Sequence, residues 1–133
     1  MTFTPAEIEY LRSQPLGRLA TVGADGVVQA NPVGYRVRAD GTLVIGGRSL
    51  GTTRKYRNVA ETGRAAIVID DLVSRDPWTV RGIEVRGRAE ATVADEPPLP
   101  GMTTDVIRIH PDTVFAWGID PAAPGMTRRD VRG

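Results

Sequence analysis

The sequence predicts a mainly β protein folded as a small antiparallel barrel of six or seven strands. Its apolar runs are short, several alternate between apolar and polar residues, and turn signals such as Asp25-Gly26 and Asp40-Gly41 separate them. Helical signals occur in only two places, so the regular alternation of strands and helices that marks a parallel fold is absent.

The first element is a predicted helix. Thr4 has the side chain of a helix cap, Pro5 suits the first helical position, and Glu7 stands three residues after the cap. A Thr and a Glu at this spacing can bond each other's backbone amides, an arrangement known as the capping box. We expect an amphipathic helix of about ten residues, with Ile8 and Leu11 on its buried side.

A β-hairpin should follow. Residues 16–22 and 27–37 are strand-like, and the Asp-Gly pair between them favours a tight reversal. Pro32 interrupts the second strand and has no amide proton, so we expect an edge, a bulge or the approach of something other than a strand at that position. The third strand is predicted at residues 43–47 and ends in two glycines.

A basic stretch comes next. Residues 48–57 contain four cations and no acid. Thr52 or Thr53 is a candidate N-cap for a helix that runs to about residue 62. Gly63 has the residue type that commonly ends a helix, because glycine tolerates the left-handed conformation required there. The sequence therefore predicts one helix immediately after the third strand.

Two of these cations, Arg54 and Lys55, fall in the first turn of that helix. The helix dipole disfavours cations there by about 0.3 to 1 kcal/mol each, so helix stability does not explain them. A bound anion would explain why cations occur there. Free amides at a helix start, two threonine hydroxyls and flanking Arg or Lys side chains suit a phosphate. The alternative is a solvated basic helix end without a ligand.

The rest of the chain is predicted to be mostly strand. The clearest signal lies in residues 83–93, where apolar and charged residues alternate, so one face should be buried. Irregular segments are expected at residues 71–78 and 95–101. Further strands are predicted at residues 64–70, 106–109 and 114–119.

One domain accounts for most of the chain. With 133 residues the protein can bury a modest core, and a single barrel domain is expected over residues 1–120. Residues 121–133 are rich in Pro, Gly and Arg and are predicted to form a mobile tail. No apolar run approaches the ~20 residues of a membrane span, so we expect a cytoplasmic protein that does not enter a membrane.

Composition removes several classes of function. Seventeen cations face sixteen acids, and both signs are mixed along the chain, which disfavours nucleic-acid binding. The chain has no cysteine and a single histidine, His110, so neither a thiolate nucleophile nor a histidine-rich metal site can form. No nucleophile has an adjacent base. Any demanding chemistry therefore needs a borrowed cofactor.

Four segments occur in a characteristic order: Asn31-Pro32-Val33, Gly46-Gly47-Arg48, residues 53–59 and an apolar strand ending in Asp70-Asp71. In this order they resemble the pyridoxamine 5'-phosphate oxidase-like split β-barrel proteins, whose fold is FMN-binding-like. Within that family the chain is most similar to the flavin and deazaflavin (coenzyme F-420) oxidoreductases. The resemblance covers about residues 5–120.

The resemblance implies a homodimer with two cofactor sites in the clefts between subunits. Basic residues after the third strand would hold the phosphate, residues 31–33 would contact the ring, and an aromatic side chain would come from the partner subunit. No catalytic residue and no metal ligand is implied. The residues of this chain at the implied cofactor positions are Asn31, Pro32, Val33, Gly47, Arg48, Thr53, Arg54, Lys55, Asn58 and Trp78.

The function that the resemblance implies is hydride transfer between reduced coenzyme F-420 and a small unsaturated or conjugated substrate. FMN is the second choice of cofactor. The alternative from another class is a non-catalytic protein that binds, stores or senses such a cofactor. Tyr35, Tyr56 or solvent could supply the proton, and the sequence leaves that choice open.

Overall fold

The structure is a computed structural model that describes residues 2–131. Seven strands and two α-helices confirm the prediction of a mainly β fold. Within the described residues, neither helix has the length and apolar character of a membrane span. Residue 1 and residues 132–133, which the domain and tail predictions include, lie outside the described residues.

The elements in chain order are α1 Pro5–Ser13, β1 Gly17–Val22, β2 Val28–Val37, β3 Leu43–Gly46, a 3-10 helix Leu50–Thr52, α2 Arg54–Thr62, β4 Arg64–Arg75, β5 Trp78–Val93, β6 Asp105–Trp117 and β7 Met126–Asp130.

The strands form one antiparallel sheet that closes into a barrel. Neighbours run in the order β3-β2-β1-β4-β5-β6-β7, and β3 pairs a second time with β6. That second pairing sets Leu43 opposite Ile109 and Ile45 opposite Ile107, and it closes six strands into a ring. β7 is added outside the ring, along the second half of β6. The predicted antiparallel barrel is therefore confirmed.

Aliphatic side chains that alternate along the strands fill the barrel interior. In β5, Ile83 and Val85 are buried whereas Arg86 and Arg88 face outward, as the alternation predicts. The pattern fails at the end of the strand, where Val93 is 64% exposed. The side chains with essentially no exposed surface are Leu43, Ile45, Ile69, Ile83, Val85, Val106, Ile107 and Ile109.

Helix α1 begins with the predicted capping box. The Thr4 amide donates to Glu7 Oε1 at 2.9 Å, and the Glu7 amide donates to Thr4 Oγ1 at 3.2 Å. Glu7 is buried although it is charged, and Arg129 supplies its charged partner, with Nη2 2.6 Å from Oε1. Because a buried carboxylate is stable only when it is paired, this contact fixes α1 to the C-terminal segment.

Helix α2 begins and ends as predicted. The Thr53 side chain accepts a hydrogen bond from the amide of Tyr56 at 3.4 Å and so caps the first turn. Gly63 follows the last turn with a φ of 69°, in the left-handed region, and its amide donates to the Val59 carbonyl at 2.8 Å. A side chain at Gly63 would be strained in this conformation, which explains the residue type.

The irregular segment predicted at residues 71–78 is wrong, because β4 and β5 form a long hairpin joined by a two-residue turn. Asp70 and Asp71, where the sequence predicts the end of the strand, lie inside β4 and pair with arginines from other strands. Arg18 Nη1 lies 3.1 Å from Asp70 Oδ1, and Arg81 Nε lies 2.8 Å from Asp71 Oδ1. Their partners come from elsewhere in the chain, so the local sequence did not reveal that both acids belong to a strand.

The prediction of two strands at residues 106–109 and 114–119 is also wrong, because one continuous strand, β6, covers most of both. Pro111 lies in its middle, and a shift in the register with β5 at Gly87 accommodates it. A side chain on Gly87 would collide with the carbonyl oxygen of His110. The glycine therefore allows the two backbones to approach where the register shifts.

The C-terminal segment contains a strand, so the prediction of a mobile tail is wrong for Met126–Asp130. β7 pairs with the second half of β6. Arg129 crosses to the N-terminus, where Nη2 also donates to the Thr2 carbonyl at 2.7 Å. The barrel domain therefore continues past residue 120. Its Pro, Gly and Arg content concealed this strand, although its pairing partner β6 is the preceding strand.

We expect Arg129→Met to lower the free energy of unfolding by about 2 to 3 kcal/mol, because it leaves the buried Glu7 carboxylate without its charged partner. Arg128→Met is the matched control. Arg128 lies on the same strand, its pair with Asp130 is exposed, and exposed ion pairs contribute at most about 1 kcal/mol. Denaturant melts of the parent and both variants measure the difference. Equal losses would show that the Glu7–Arg129 pair does not hold β7.

Candidate functional site

The pairing between β2 and β3 is short, and the barrel wall opens where it ends. The last register pair is Gly34 opposite Gly46. Beyond it, residues 28–33 of β2 pair with β1 on one side and with no strand of the described chain on the other. Pro32 lies in this free edge, opposite Arg18 of β1. The prediction that Pro32 marks an edge is therefore confirmed.

The chain that leaves β3 returns to the other end of the free edge. Residues 47–53 lead through the 3-10 helix to the start of α2. There, Arg54 reaches the β1–β2 turn, with its Nη2 3.5 Å from Asp25 Oδ2. The free edge is thus bounded by a glycine pair at one end and by this ion pair at the other. We call the opening between residues 28–33 and residues 47–53 the cleft.

The cations predicted to bind phosphate flank this cleft. Arg48 and Arg54 are exposed, and Lys55 is half-buried. Asp25 partly neutralises Arg54, whereas Arg48 and Lys55 make no ion pair within residues 2–131. The free charge of Lys55 therefore lies in the first turn of α2, where the unpaired backbone amides also favour an anion.

A carboxylate approaches the same end of the cleft, although the basic stretch itself contains no acid. Asp105, at the start of β6, lies against the 3-10 helix, and a Cβ built on Gly51 would come within 2.5 Å of its Oδ2. Burial raises the pKa of Tyr56, and the charge of Asp105 adds to that effect. A phosphate in the cleft would therefore be repelled from Gly51 and drawn toward Lys55.

Gln29 is a site candidate that no sequence motif marks. Its Oε1 is buried and has no hydrogen-bond partner within the described residues. Gln29 lies on the free edge, opposite Thr21 of β1 and on the same strand face as Asn31. A buried amide oxygen without a donor is unfavourable, and a ligand N–H or O–H would satisfy it. Gln29 is two residues before Asn31 in the predicted strand, and this spacing places both on one face. That pattern could have identified Gln29 as a site candidate from the sequence.

Two predicted site residues point into the protein. Asn58 is 2% exposed, and its Nδ2 donates to Thr21 Oγ1 at 3.1 Å. It ties α2 to β1, so the side chain of Asn58 faces the protein interior and not the open side of the cleft. The side chain of Val33 belongs to the core, which leaves only its backbone along the free edge. Sequence alone does not show which face of α2 packs on β1.

Trp78 lies apart from the other predicted site residues, on a hairpin that extends beyond the barrel. β5 pairs with β4 from Trp78 onward but with β6 only from Gly82 onward. Trp78 is 69% exposed, and within residues 2–131 no strand pairing joins the hairpin to the cleft. The exposed apolar residues of this hairpin are Leu72, Val73, Trp78 and Val80.

The loop before β6 covers the point where β2 and β3 part. The Thr103 amide donates to the Gly47 carbonyl at 2.9 Å. A Cβ built on Gly46 would lie 2.7 Å from Met102 Sδ, and one built on Gly34 would lie 3.4 Å from Met102 Cε. Met102 therefore rests on both glycines and forms an apolar wall beside the cleft.

Chemically active side chains near the cleft are few. Tyr35 Oη donates to the Leu11 carbonyl at 2.6 Å, and burial raises the pKa of Tyr35 to about 12. Tyr56 Oη donates to the Thr92 carbonyl at 3.0 Å. Within the described residues, no group of three or more His, Cys, Asp or Glu side chains is placed to hold a metal ion. Both tyrosine hydroxyls donate to backbone carbonyls of the fold.

Comparison with known families agrees with this architecture. The family model described as pyridoxamine 5'-phosphate oxidase matches residues 3–131. The chain therefore belongs to the pyridoxamine 5'-phosphate oxidase family, as the sequence motifs predicted. A curated relative from Streptomyces rimosus subsp. rimosus, a 5a,11a-dehydrotetracycline/5a,11a-dehydrooxytetracycline reductase, is 42% identical over 134 residues, covering 98% of this chain and 94% of the relative. The family and this relative identify the chain as an enzyme of the oxidoreductase class.

Solved structures share the fold at lower sequence identity. A heme binding protein from Mycobacterium smegmatis is 20% identical with a TM-score of 0.68, over 96% of this chain and 59% of that protein. A candidate pyridoxamine 5'-phosphate oxidase from Corynebacterium glutamicum is 19% identical with a TM-score of 0.62, over 86% of this chain and 88% of that protein. At such identities these likenesses show the split-barrel fold alone.

We expect Tyr35 to ionise at unusually high pH, because burial raises its pKa to about 12, against about 10 for an exposed phenol. Between those values the folded chain holds more protons than the unfolded chain, so stability that is present below about pH 10 is lost as the pH rises through this window. Tyrosinate absorbance should therefore appear later in the native protein than in urea. A group that titrates near pH 10 in the native protein and is missing from Tyr35→Phe would contradict this assignment.

Proposed function

We propose that the protein is a reductase that uses coenzyme F-420 to reduce a conjugated carbon–carbon double bond in a polycyclic small molecule. The observation that carries this proposal is the 42% identity, over 98% of the chain, to a reductase of 5a,11a-dehydrotetracycline and 5a,11a-dehydrooxytetracycline. The prefix 5a,11a-dehydro denotes an unsaturated bond in a fused ring system. A substrate of this class agrees with the unsaturated or conjugated molecule that the sequence motifs predict.

The cleft residues fit such a cofactor in charge and in hydrogen-bonding capacity. The first amides of α2, with Arg48 and Lys55 beside them, would hold the phosphate. Thr53 would shape this site by capping the helix, because its hydroxyl donates to the Leu50 carbonyl and accepts from the Tyr56 amide.

Asn31 and Gln29, whose buried Oε1 lacks a donor, would contact the ring system from the free edge. When bound, the deazaflavin supplies the hydride. FMN is the second choice, because flavins are the general cofactors of the family.

The chain's own residues would position the reactants and leave proton delivery to water. Met102 presents an apolar surface where β2 and β3 part, against which a flat substrate would pack. Tyr35 and Tyr56 keep their protons in hydrogen bonds to backbone carbonyls. The contribution of the protein is therefore orientation of the two reactants within one cleft, not acid–base catalysis by a side chain.

We also propose a homodimer in which the exposed hairpin of one subunit reaches the cleft of the other. Its apolar patch would be buried in such an assembly, and Trp78 would then contact the cofactor across the interface. A chain without cysteine is compatible with the reducing cytoplasm, where we place the protein. Light scattering tests the assembly, and a monomer with intact cofactor affinity would contradict it.

Turnover tests the proposed activity. Oxidation of reduced F-420 in the presence of 5a,11a-dehydrotetracycline, followed by absorbance, should be faster with the protein than without it. Reduced FMN, assayed separately, is the rival cofactor. Turnover with FMN alone would reject F-420, and binding of F-420 without turnover of any conjugated polycyclic substrate would contradict the proposed reductase.

We expect Lys55→Ala to raise the dissociation constant of F-420 about ten- to hundredfold, because a charge-assisted hydrogen bond contributes about 1.5 to 3 kcal/mol. Thermal stability should change little, since Lys55 has no ion-pair partner within residues 2–131 and the helix dipole does not favour a cation there. Cofactor fluorescence measures the affinity. Arg57→Ala, which removes an exposed cation of the same helix outside the predicted site, is the matched control. Unchanged affinity in Lys55→Ala would show that the basic stretch is a solvated helix end.

A further inference from the structure

A cavity of about 660 Å³ lies on the outer face of the barrel, where β1, β4, β5 and β6 meet the end of α2. This volume is in the range of small-molecule sites, roughly 300 to 1,000 Å³. None of the residues predicted to bind the cofactor lines it. Its residues on β4 and β5 lie at the start of β4 and in the middle of β5, away from the exposed hairpin, so a partner seated on that hairpin would not need to cover it.

Two arginines face each other at this cavity. Arg64 of β4 and Arg88 of β5 are register partners on adjacent antiparallel strands, and both are exposed. Like charges in this position are destabilising, because the two side chains are held close together. Neither makes an ion pair within the described residues. We call Arg64 and Arg88 the arginine pair.

No carboxylate forms an ion pair with the arginine pair within the described residues. Arg86 also lines the cavity, but its Nε lies 2.8 Å from Glu84 Oε2. Glu90, the next outward-facing residue of β5, has its Oε1 2.8 Å from His110 Nε2. This hydrogen bond lowers the pKa of the Glu90 carboxyl, and the charges of Arg108 and Arg88 lower it further. Glu90 therefore offsets part of the charge of Arg88. Asp112 is the one acid among the lining residues, against three arginines, so the cavity keeps a net positive charge that can bind an anion.

The floor beside the arginine pair is flat and apolar. Ala20 of β1 and Ala66 of β4 are register partners, and both line the cavity. Their methyl groups leave the space that larger outward-facing residues would fill. Val28 of β2 is 77% exposed and forms an apolar side of the cavity. It is the end residue of the free edge and the one residue that borders both this cavity and the cleft. A planar ring system would pack on these apolar side chains.

We propose that this cavity is a binding site for a planar aromatic carboxylate, separate from the cofactor cleft. The ring lies on the alanine floor, and the carboxylate lies between the two guanidinium groups of the arginine pair. Guanidinium groups match carboxylate oxygens in geometry, and charge-assisted hydrogen bonds are the strongest that side chains offer. The anion would also reduce the repulsion between Arg64 and Arg88.

Fluorescence titration with 2-naphthoate tests the site, with 2-naphthol as the neutral probe of the same shape. The parent protein should bind 2-naphthoate at least about tenfold more tightly than 2-naphthol, and Arg64→Gln or Arg88→Gln should each remove about that factor. Arg36→Gln is the matched control, because Arg36 is an exposed strand arginine without an ion pair and outside the cavity. It should bind like the parent.

Three results would overturn the proposal. One is equal affinity for the two probes, or equal weakening by Arg36→Gln, because either would mean that the arginine pair makes no specific contact. Another is loss of 2-naphthoate binding in Lys55→Ala, which would place the probe in the cofactor cleft. The third is a dimer in light scattering that Arg88→Gln dissociates, because the cavity would then be an interface between copies. A protein that does not bind F-420 could still bind 2-naphthoate at this cavity. The proposed function and this proposal can therefore be rejected independently.

Discussion

β3 is only four residues long, and both the closed barrel and the cleft depend on this short strand. Its four residues are all buried, and the strand pairs with β2 on one side and with β6 on the other, so it closes the barrel. Because β3 ends at Gly46, residues 28–33 of β2 are left without a partner on that side. The chain must then cross the opening through residues 47–53 to reach α2. The strand that completes the core therefore also creates the cleft.

The electrostatic character of the cleft comes from residues that are distant in sequence. The basic stretch contains no acid, yet the fold brings Asp25 to Arg54 and Asp105 to the 3-10 helix. Arg48 and Lys55 remain as free cations within the described chain. In the fold, the basic stretch therefore has Asp105 near the 3-10 helix and the free cations Arg48 and Lys55 elsewhere around the cleft. Such a field would orient a ligand that has a phosphate at one end.

Local features could be predicted from the sequence, and features that depend on long-range contacts could not. The cap of α2 at Thr53 involves neighbouring residues only. β7 pairs with the preceding strand β6, but the contact of Arg129 with Glu7, which ties it to α1, spans 122 positions, and its composition alone indicated a mobile segment. The features of the candidate site also separate into local ones and ones set by long-range packing. The cations and the free edge follow from local motifs, whereas the burial of Asn58 and the unpaired oxygen of Gln29 are set by how α2 and β2 pack on β1.

We infer that the free edge of β2 and the start of α2 form one ligand site. Hydrogen–deuterium exchange with and without F-420 tests it most directly, because backbone amides of both segments are reported in one experiment. Residues 28–33 and 47–55 should gain protection together when F-420 is added, while Met126–Asp130 should not change. Protection of one segment alone, or of neither, would contradict it.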